Sequence, residues 1–242
     1  MLDVEGLCKH YGTADQVVRA VDHVDLHVER ADFVSIVGHS GSGKTTLLSL
    51  MGGLTRPTSG TVRVDGLDLW ALSDAELARL RNRRVGFIYQ FASLIPALTV
   101  LENVLLPAVF GGAPHPPRER AMTLLSTVGL ADKARAYPGE LSGGQQRRVA
   151  IARSFINEPA VILADEPTGD LDEETEAEIF DFFAAMNREQ VAFVVATHSR
   201  ELAGRASIRL RMDRGRLTPI EPTVPAFPDR RQSAGGLRSR PR

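Results

Sequence analysis

Cysteine is almost missing: Cys8 is the single one in 242 residues. No disulfide can form within the chain, and a reducing compartment is the expectation. An excess of charge is missing too, since 29 Lys and Arg stand against 30 Asp and Glu for a formal net charge of -1. Nonspecific coating of nucleic acid therefore has no electrostatic basis, and no nucleic-acid partner is expected. Long apolar runs are wanting as well. Val85 to Leu101 passes 17 residues without a charge, but Gln90, Ser93, Pro96 and Thr99 interrupt it. That is the short limit for a spanning helix, and a buried strand followed by an apolar loop fits better, so the chain is expected to be soluble by itself. The beginning, MLDVEGLCKHYG, puts acids where an export signal needs basic and then apolar residues. Neither internal repeats nor sustained heptads are visible, which speaks against a coiled-coil arm.

What is present is an alternation of strands and helices, in a length that suits one domain or one domain with a small subdomain. Val24, Leu26 and Val28 alternate with polar neighbours, the Arg30–Asp32 turn leads into the apolar strand FVSIV (Phe33–Val37), and Ser59–Leu69 alternates again around Asp65-Gly66. From about Ser73 to Gly129 helical spacing dominates, with Ala121, Leu124, Leu125 and Val128 on one face. Beyond Ala160 the order is strand (AVILAD), helix (Thr175–Arg188) and strand (VAFVVAT), the pattern of a parallel sheet with crossover helices. Thr218 to Arg242 holds five prolines and five arginines with little to bury, so residues 218–242 are expected to form a disordered tail.

Two stretches are built to hold phosphate. GHSGSGKTT (Gly38, His39, Ser40, Gly41, Ser42, Gly43, Lys44, Thr45, Thr46) follows an apolar strand and precedes an apolar helix, the context that a phosphate loop requires. Its glycines let backbone N–H groups turn to the phosphates, and a helix starting near Lys44 adds its positive dipole end. Lys44 can reach the β- and γ-phosphates of a nucleotide, and the Thr45 hydroxyl can ligate Mg²⁺. Asp165 and Glu166 end the apolar strand VILAD; Asp165 would hold Mg²⁺ through water and Glu166 would polarise the attacking water. Gln90 could reach the metal or that water, and His198 could reach the γ-phosphate or merely cap the following segment. Tyr11 could stack on a base or simply end a strand. The second grip is GELSGGQQRRVAIAR (Gly139–Arg153), which holds no catalytic group after Glu140. It does offer Ser142 and two glycines ahead of a helix from about Gln145, a place to cap and hold an anion.

In this order, the phosphate loop, Gln90, LSGGQ (Leu141–Gln145), Asp165-Glu166, GDLD (Gly169–Asp172) and His198 resemble the ATP-binding subunit of ABC transporters over about residues 1–217. The resemblance implies an α/β P-loop NTPase cassette. It would have a mixed RecA-like sheet core, an antiparallel β subdomain and a helical subdomain at about residues 91–157. It implies ATP and Mg²⁺ as cofactors, hydrolysis with Glu166 as general base, catalytic support from Lys44, Gln90 and His198, and Gln90 beside Thr45 and Asp165 at the metal. Tyr11 then resembles the aromatic that stacks on adenine, and Asp172 the aspartate at the dimer seam. Ser142, Gly143, Gly144 and Gln145 are similar to the signature that clasps ATP held by a second copy, making an ATP-dependent head-to-tail dimer. A finer resemblance, to the macrolide-exporter and lipoprotein-release branch, is carried by DEPTGDLD (Asp165–Asp172), Gly86–Pro107 and Val17–Val28. It implies an integral-membrane permease as partner, a place on the cytoplasmic face of the membrane, and export or mechanotransmission of a lipoprotein, peptide or drug. Related cassettes regulate cell division and the cell wall, and others work without transport. Asp170 stands where this branch commonly has Asn, and Arg30–Asp32 where it has a Gly-Glu turn.

Overall fold

In the computed structural model, residues 1–13, 16–112, 116–169 and 171–220 are described. The chain first builds a four-stranded antiparallel sheet in the order β2-β1-β4-β5, from β1 (Leu2–Thr13), β2 (Gln16–Val28), β4 (Ser59–Val64) and β5 (Leu67–Asp68). The second sheet has six strands in the order β10-β9-β3-β8-β7-β6. Its members are β3 (Phe33–Val37), β6 (Val85–Ile88), β7 (Val161–Asp165), β8 (Ala192–Ala196), β9 (Ile208–Asp213) and β10 (Arg216–Pro219). All its ladders are parallel except β9 with β10, so the sheet is mixed, as expected. β7 and β8 are buried along their whole length, which is why their sequences run apolar instead of alternating.

α1 (Lys44–Met51) follows β3, and α2 (Asp74–Arg84) is started by a Ser73–Glu76 capping box. α3 (Val100–Phe110), α4 (Arg118–Thr127) and α5 (Gly143–Ser154) form the helical region, while α6 (Glu173–Arg188) and α7 (Arg200–Arg205) flank β8. The apolar stretch after β6 is a loop up to Thr99, whose hydroxyl caps α3, and no helix among the described residues is long and apolar enough to cross a membrane. Asn103 fixes that loop from inside α3. Fully buried, it accepts from the Ile95 N–H at 2.7 Å and donates to the carbonyls of Ile95, Leu98 and Thr99.

Three boundaries differ from the sequence reading. α5 begins at Gly143 because Ser142 and Gln145 close a capping box around two weak helix formers. α6 begins at Glu173, capped by Asp172. The ordered chain passes the expected end at Leu217: β10 runs to Pro219, and the Ile220 N–H donates to the Arg209 carbonyl. A proline is tolerated there because β10 is an edge strand. The remainder of the tail and Asp170 lie outside the described residues. In the Arg30–Asp32 turn, Ala31 adopts a φ of 62°, the left-handed geometry for which a glycine would be the usual residue.

Two apolar clusters sit on either side of the large sheet. In the helical one, Phe193 stacks on Phe33 at 5.0 Å between centroids and meets Phe183 at 5.2 Å and Phe155 at 6.2 Å. Phe193→Ala is expected to cost about 3–5 kcal/mol, because these rings leave it no room to collapse into. Urea unfolding checks this, and a loss below about 1 kcal/mol would show that the ring cluster does not carry the core.

Candidate functional site

The carboxyl ends of β3, β7 and β8 meet at one rim of the sheet, the edge at which ligand sites of open α/β sheets form. The loop from Gly38 to Gly43 leaves β3 there and enters α1. Gly43 caps α1 with a φ of 112°, and a Cβ on it would stand 2.0 Å from the Ala20 carbonyl oxygen, so only glycine fits. A Cβ on Gly38 would come 2.3 Å from the Met212 carbonyl oxygen, so the loop is pressed onto β9 as well as β2.

Lys44 is buried, and its Nζ donates to the carbonyls of Gly38 at 2.7 Å and His39 at 3.2 Å. Among the described residues it has no carboxylate partner, so the loop holds a desolvated positive charge that suits an anion. The Thr45 hydroxyl donates to the Asp165 Oδ2 at 2.6 Å, which places a hydroxyl and a carboxylate together as a hard-cation donor set. Glu166, next on the chain, takes a φ of 48°, an unfavourable geometry for a non-glycine residue. Its backbone is held on both sides, the N–H by the Ala196 carbonyl at 2.9 Å and the carbonyl by the buried Arg147 guanidinium at 3.2 Å. The carboxylate so aimed accepts the His198 N–H at 3.1 Å, while Nε2 of the same histidine lies 3.4 Å from the other oxygen.

A cavity of about 260 Å³ gathers Ser40, Gly41, Gly43, Lys44, Thr45, Thr46, Gln90, Asp165, Glu166 and His198. Most of the residues named from the sequence for the phosphate loop and the catalytic centre thus share one space. Gly38 and His39 face a neighbouring cavity on the other side of the loop, which also borders His198. Ser42 is buried behind the loop, where its carbonyl accepts the Gly215 N–H at 3.0 Å. Tyr11 stands at the exposed edge, paired with Val18, which lines the cavity, and carrying the Lys9 ammonium 5.0 Å from its ring centre. The signature residues are elsewhere. The Ser142 Oγ accepts the Gln145 N–H at 3.2 Å, the Gln145 Oε1 accepts the Ser142 N–H at 3.0 Å, and a Cβ on Gly143 would meet nothing within 4 Å. Asp172 caps α6, and the Thr175 amide and hydroxyl hold its carboxyl below its ordinary range. Its contribution to stability is present above the usual carboxylate range and fades as pH falls through the lowered value.

Sequence reasoning missed the other wall of the cavity, formed by Arg19, Ala20, Arg214 and Gly215, because only the fold brings β2 and the β9–β10 turn to the phosphate loop. It also missed Arg147, whose guanidinium spans the carbonyls of Tyr89 at 2.9 Å and Glu166. The available signal was a charged residue on the buried face of α5.

The family model for ABC transporters matches residues 21–169. The chain belongs to the ABC transporter family, as an ATP-binding subunit. This cassette is 48% identical over 200 residues to the lipoprotein-releasing system ATP-binding protein LolD 1 of Chlorobium chlorochromatii, covering 81% of each chain. It is 44% identical over 220 residues to the LolD protein of Bordetella pertussis, covering 90% of this chain and 95% of that one. A solved dimeric ATP-binding cassette in a post-hydrolysis state, bound to ADP and Pi, superposes with a TM-score of 0.86 at 36% identity, covering 91% of this chain and 99% of that one. The cassette is an ATPase of the ABC type, with the fold that its motifs implied.

Arg147→Met would strip a charged donor from the Tyr89 and Glu166 carbonyls on two loops while keeping the stem. It is expected to lower unfolding stability by about 1–3 kcal/mol in urea. An unchanged midpoint would show that these bonds hold neither loop.

Proposed function

We propose that this cassette is the energy-coupling subunit of a membrane export or mechanotransmission complex. In this reading two copies close head-to-tail on two ATP molecules, each held by one copy's phosphate loop and the other's signature. Thr45, Asp165 and Gln90 would hold Mg²⁺, which when bound would supply positive charge to offset that on the phosphates. Lys44 binds the phosphates, Glu166 takes the proton of the attacking water, and His198 orients that carboxylate and the γ-phosphate. Tyr11 carries the adenine ring, and Asp172 anchors the helix start at the seam. The observation that carries the reading is a separation: the cavity with Lys44, Thr45, Asp165 and Glu166 includes no residue of the Ser142–Gln145 grip. A single chain therefore offers two half-sites, and a second copy completes both.

The partner is a permease, with the cassette held against it at the cytoplasmic face of the membrane. In support, the surface next to Gln90 is apolar beyond the needs of a loop, with Phe91 75% exposed and Phe110 78% exposed. Leu54, Phe87, Tyr89 and Phe110 line a groove of about 420 Å³ there with Arg81 and Arg153. The names of the relatives favour lipoprotein as the cargo class.

The decisive experiment mixes two variants. Ser142→Arg should bind ATP but not hydrolyse it, and Glu166→Gln should bind ATP and form dimers while turning over about 100-fold slower or less. In a mixed dimer one site keeps both Glu166 and the facing Ser142, so an equal mixture should regain about a quarter of wild-type turnover if the sites act independently. A mixture no more active than its parents would remove the composite site, as would normal turnover in Ser142→Arg alone.

A further inference from the structure

A second cluster of ligand-type side chains lies in the antiparallel sheet, where β1 and β2 lose register. Leu7 pairs with Val24 but Lys9 with Val21, so Cys8 alone faces Asp22 and His23, a β-bulge with two residues opposite one. His23 takes a φ of 52° there, a strained backbone in the middle of a strand. The strain turns its ring back onto its neighbours: Nδ1 lies 2.9 Å from the Asp22 Oδ1, and the His23 N–H donates to the Cys8 Sγ at 3.3 Å. Cys8 and Asp22 are buried, and His23 lies over them at the surface. One sulfur, one imidazole nitrogen and one carboxylate oxygen fall within 4.8 Å of one another.

We propose that Cys8, Asp22 and His23 form a binding site for Zn²⁺. The donor set is mixed S, N and O, which suits a borderline divalent ion better than Mg²⁺, whose ligands are oxygens. An ion bonded at about 2.0–2.1 Å to nitrogen and oxygen in tetrahedral geometry sets those two atoms about 3.3 Å apart, so the exposed His23 ring would swing slightly away from Asp22, from the 2.9 Å at which it stands. The surroundings match a metal centre. The other Asp22 oxygen, Oδ2, accepts the Arg216 Nε–H at 2.9 Å, which orients the carboxylate and leaves Oδ1 to bind end-on. The His23 N–H already points at the sulfur and would stabilise a thiolate. Cys8 also donates its S–H to the Gly6 carbonyl at 3.6 Å, a bond that the thiol would give up on binding the ion as thiolate. The site also touches the nucleotide cavity: the Asp22 N–H donates to the Gly215 carbonyl at 2.9 Å, and the Gly215 N–H donates to the Ser42 carbonyl of the phosphate loop.

Because Cys8 is the only thiol of the chain, one spectroscopic signal isolates the site. Co²⁺ titrated into the full-length, nucleotide-free protein should give a near-ultraviolet thiolate-to-cobalt band that saturates at one ion per chain and disappears when Zn²⁺ is added. Cys8→Ser should abolish the band. His23→Asn, chosen because asparagine tolerates the left-handed backbone, should weaken Co²⁺ binding on the order of tenfold or more while the protein stays folded by circular dichroism. No band at millimolar Co²⁺ in the folded wild type would overturn the site, and so would a band whose affinity is unchanged in His23→Asn. Should Cys8→Ser fail to fold, protection of the wild-type thiol from alkylation by stoichiometric Zn²⁺ decides, and unaltered alkylation counts against the proposal.

Discussion

Ile36 of β3 stands beside Ala196 of β8, Ala196 stands beside Asp165 of β7, and Ala164 stands beside Ile88 of β6. This parallel register is the constraint on which the cavity at the phosphate loop depends. It brings four strand ends out at one level, so that the phosphate loop, Asp165-Glu166, His198 and Gln90 leave the sheet side by side. In a parallel ladder a slip of one residue reverses every side chain. It would take Asp165 away from the Thr45 hydroxyl that now lies 2.6 Å from it. The buried apolar faces of β7 and β8 fix the register, which means that the position of a carboxylate is secured by the packing of Val, Ile and Phe side chains behind it.

The loops beyond the sheet depend less on packing than on carbonyls captured by long side chains. Arg147 holds Tyr89 and Glu166, Arg153 holds Ala92 and Ser93, and Asn103 holds Ile95, Leu98 and Thr99. A net hydrogen bond to each carbonyl contributes about 0.5–1.5 kcal/mol, more where the donor is charged, so these few side chains hold an irregular stretch in place. That stretch runs from the end of β6 to the start of α3 and carries Gln90 at the cavity and Phe91 at the surface.

Much of the cavity lining was legible in the sequence because its motifs are local. A glycine-rich loop between an apolar strand and a helix, two acids after an apolar strand, and Ser-Gly-Gly before a helix each stand out within a few residues. Boundaries were less legible where one residue type has two uses. Gly143 and Gly144 read as a turn because of their low helix propensity, although the Ser142–Gln145 capping box draws them into α5. Pro219 read as tail although an edge strand accommodates it. The contributions of Arg147, Asn103, Arg214 and Gly215 were illegible, since each acts on a partner far along the chain that only the finished fold brings near. The same holds for the bulge that sets Cys8 against Asp22 and His23, because it arises from the register of two strands and not from any spacing within one.

Arg147 sits on α5, a little over one turn after the Ser142 cap, and bonds the carbonyl of the very residue whose carboxylate faces the cavity. The helix that presents the signature therefore holds the backbone of Glu166 directly. It also holds Tyr89, next to Gln90, by the same guanidinium. A force applied to the N-terminus of α5 acts on the acid after β7 and on the loop after β6 together. Since Glu166 is strained, with a φ of 48°, its geometry exists only while these bonds over-determine it. In the proposed head-to-tail pair, the helix that would grip one nucleotide through Ser142 is bonded through Arg147 to the backbone of the Glu166 that would serve the other. The same arginine would then join the two half-sites within each copy.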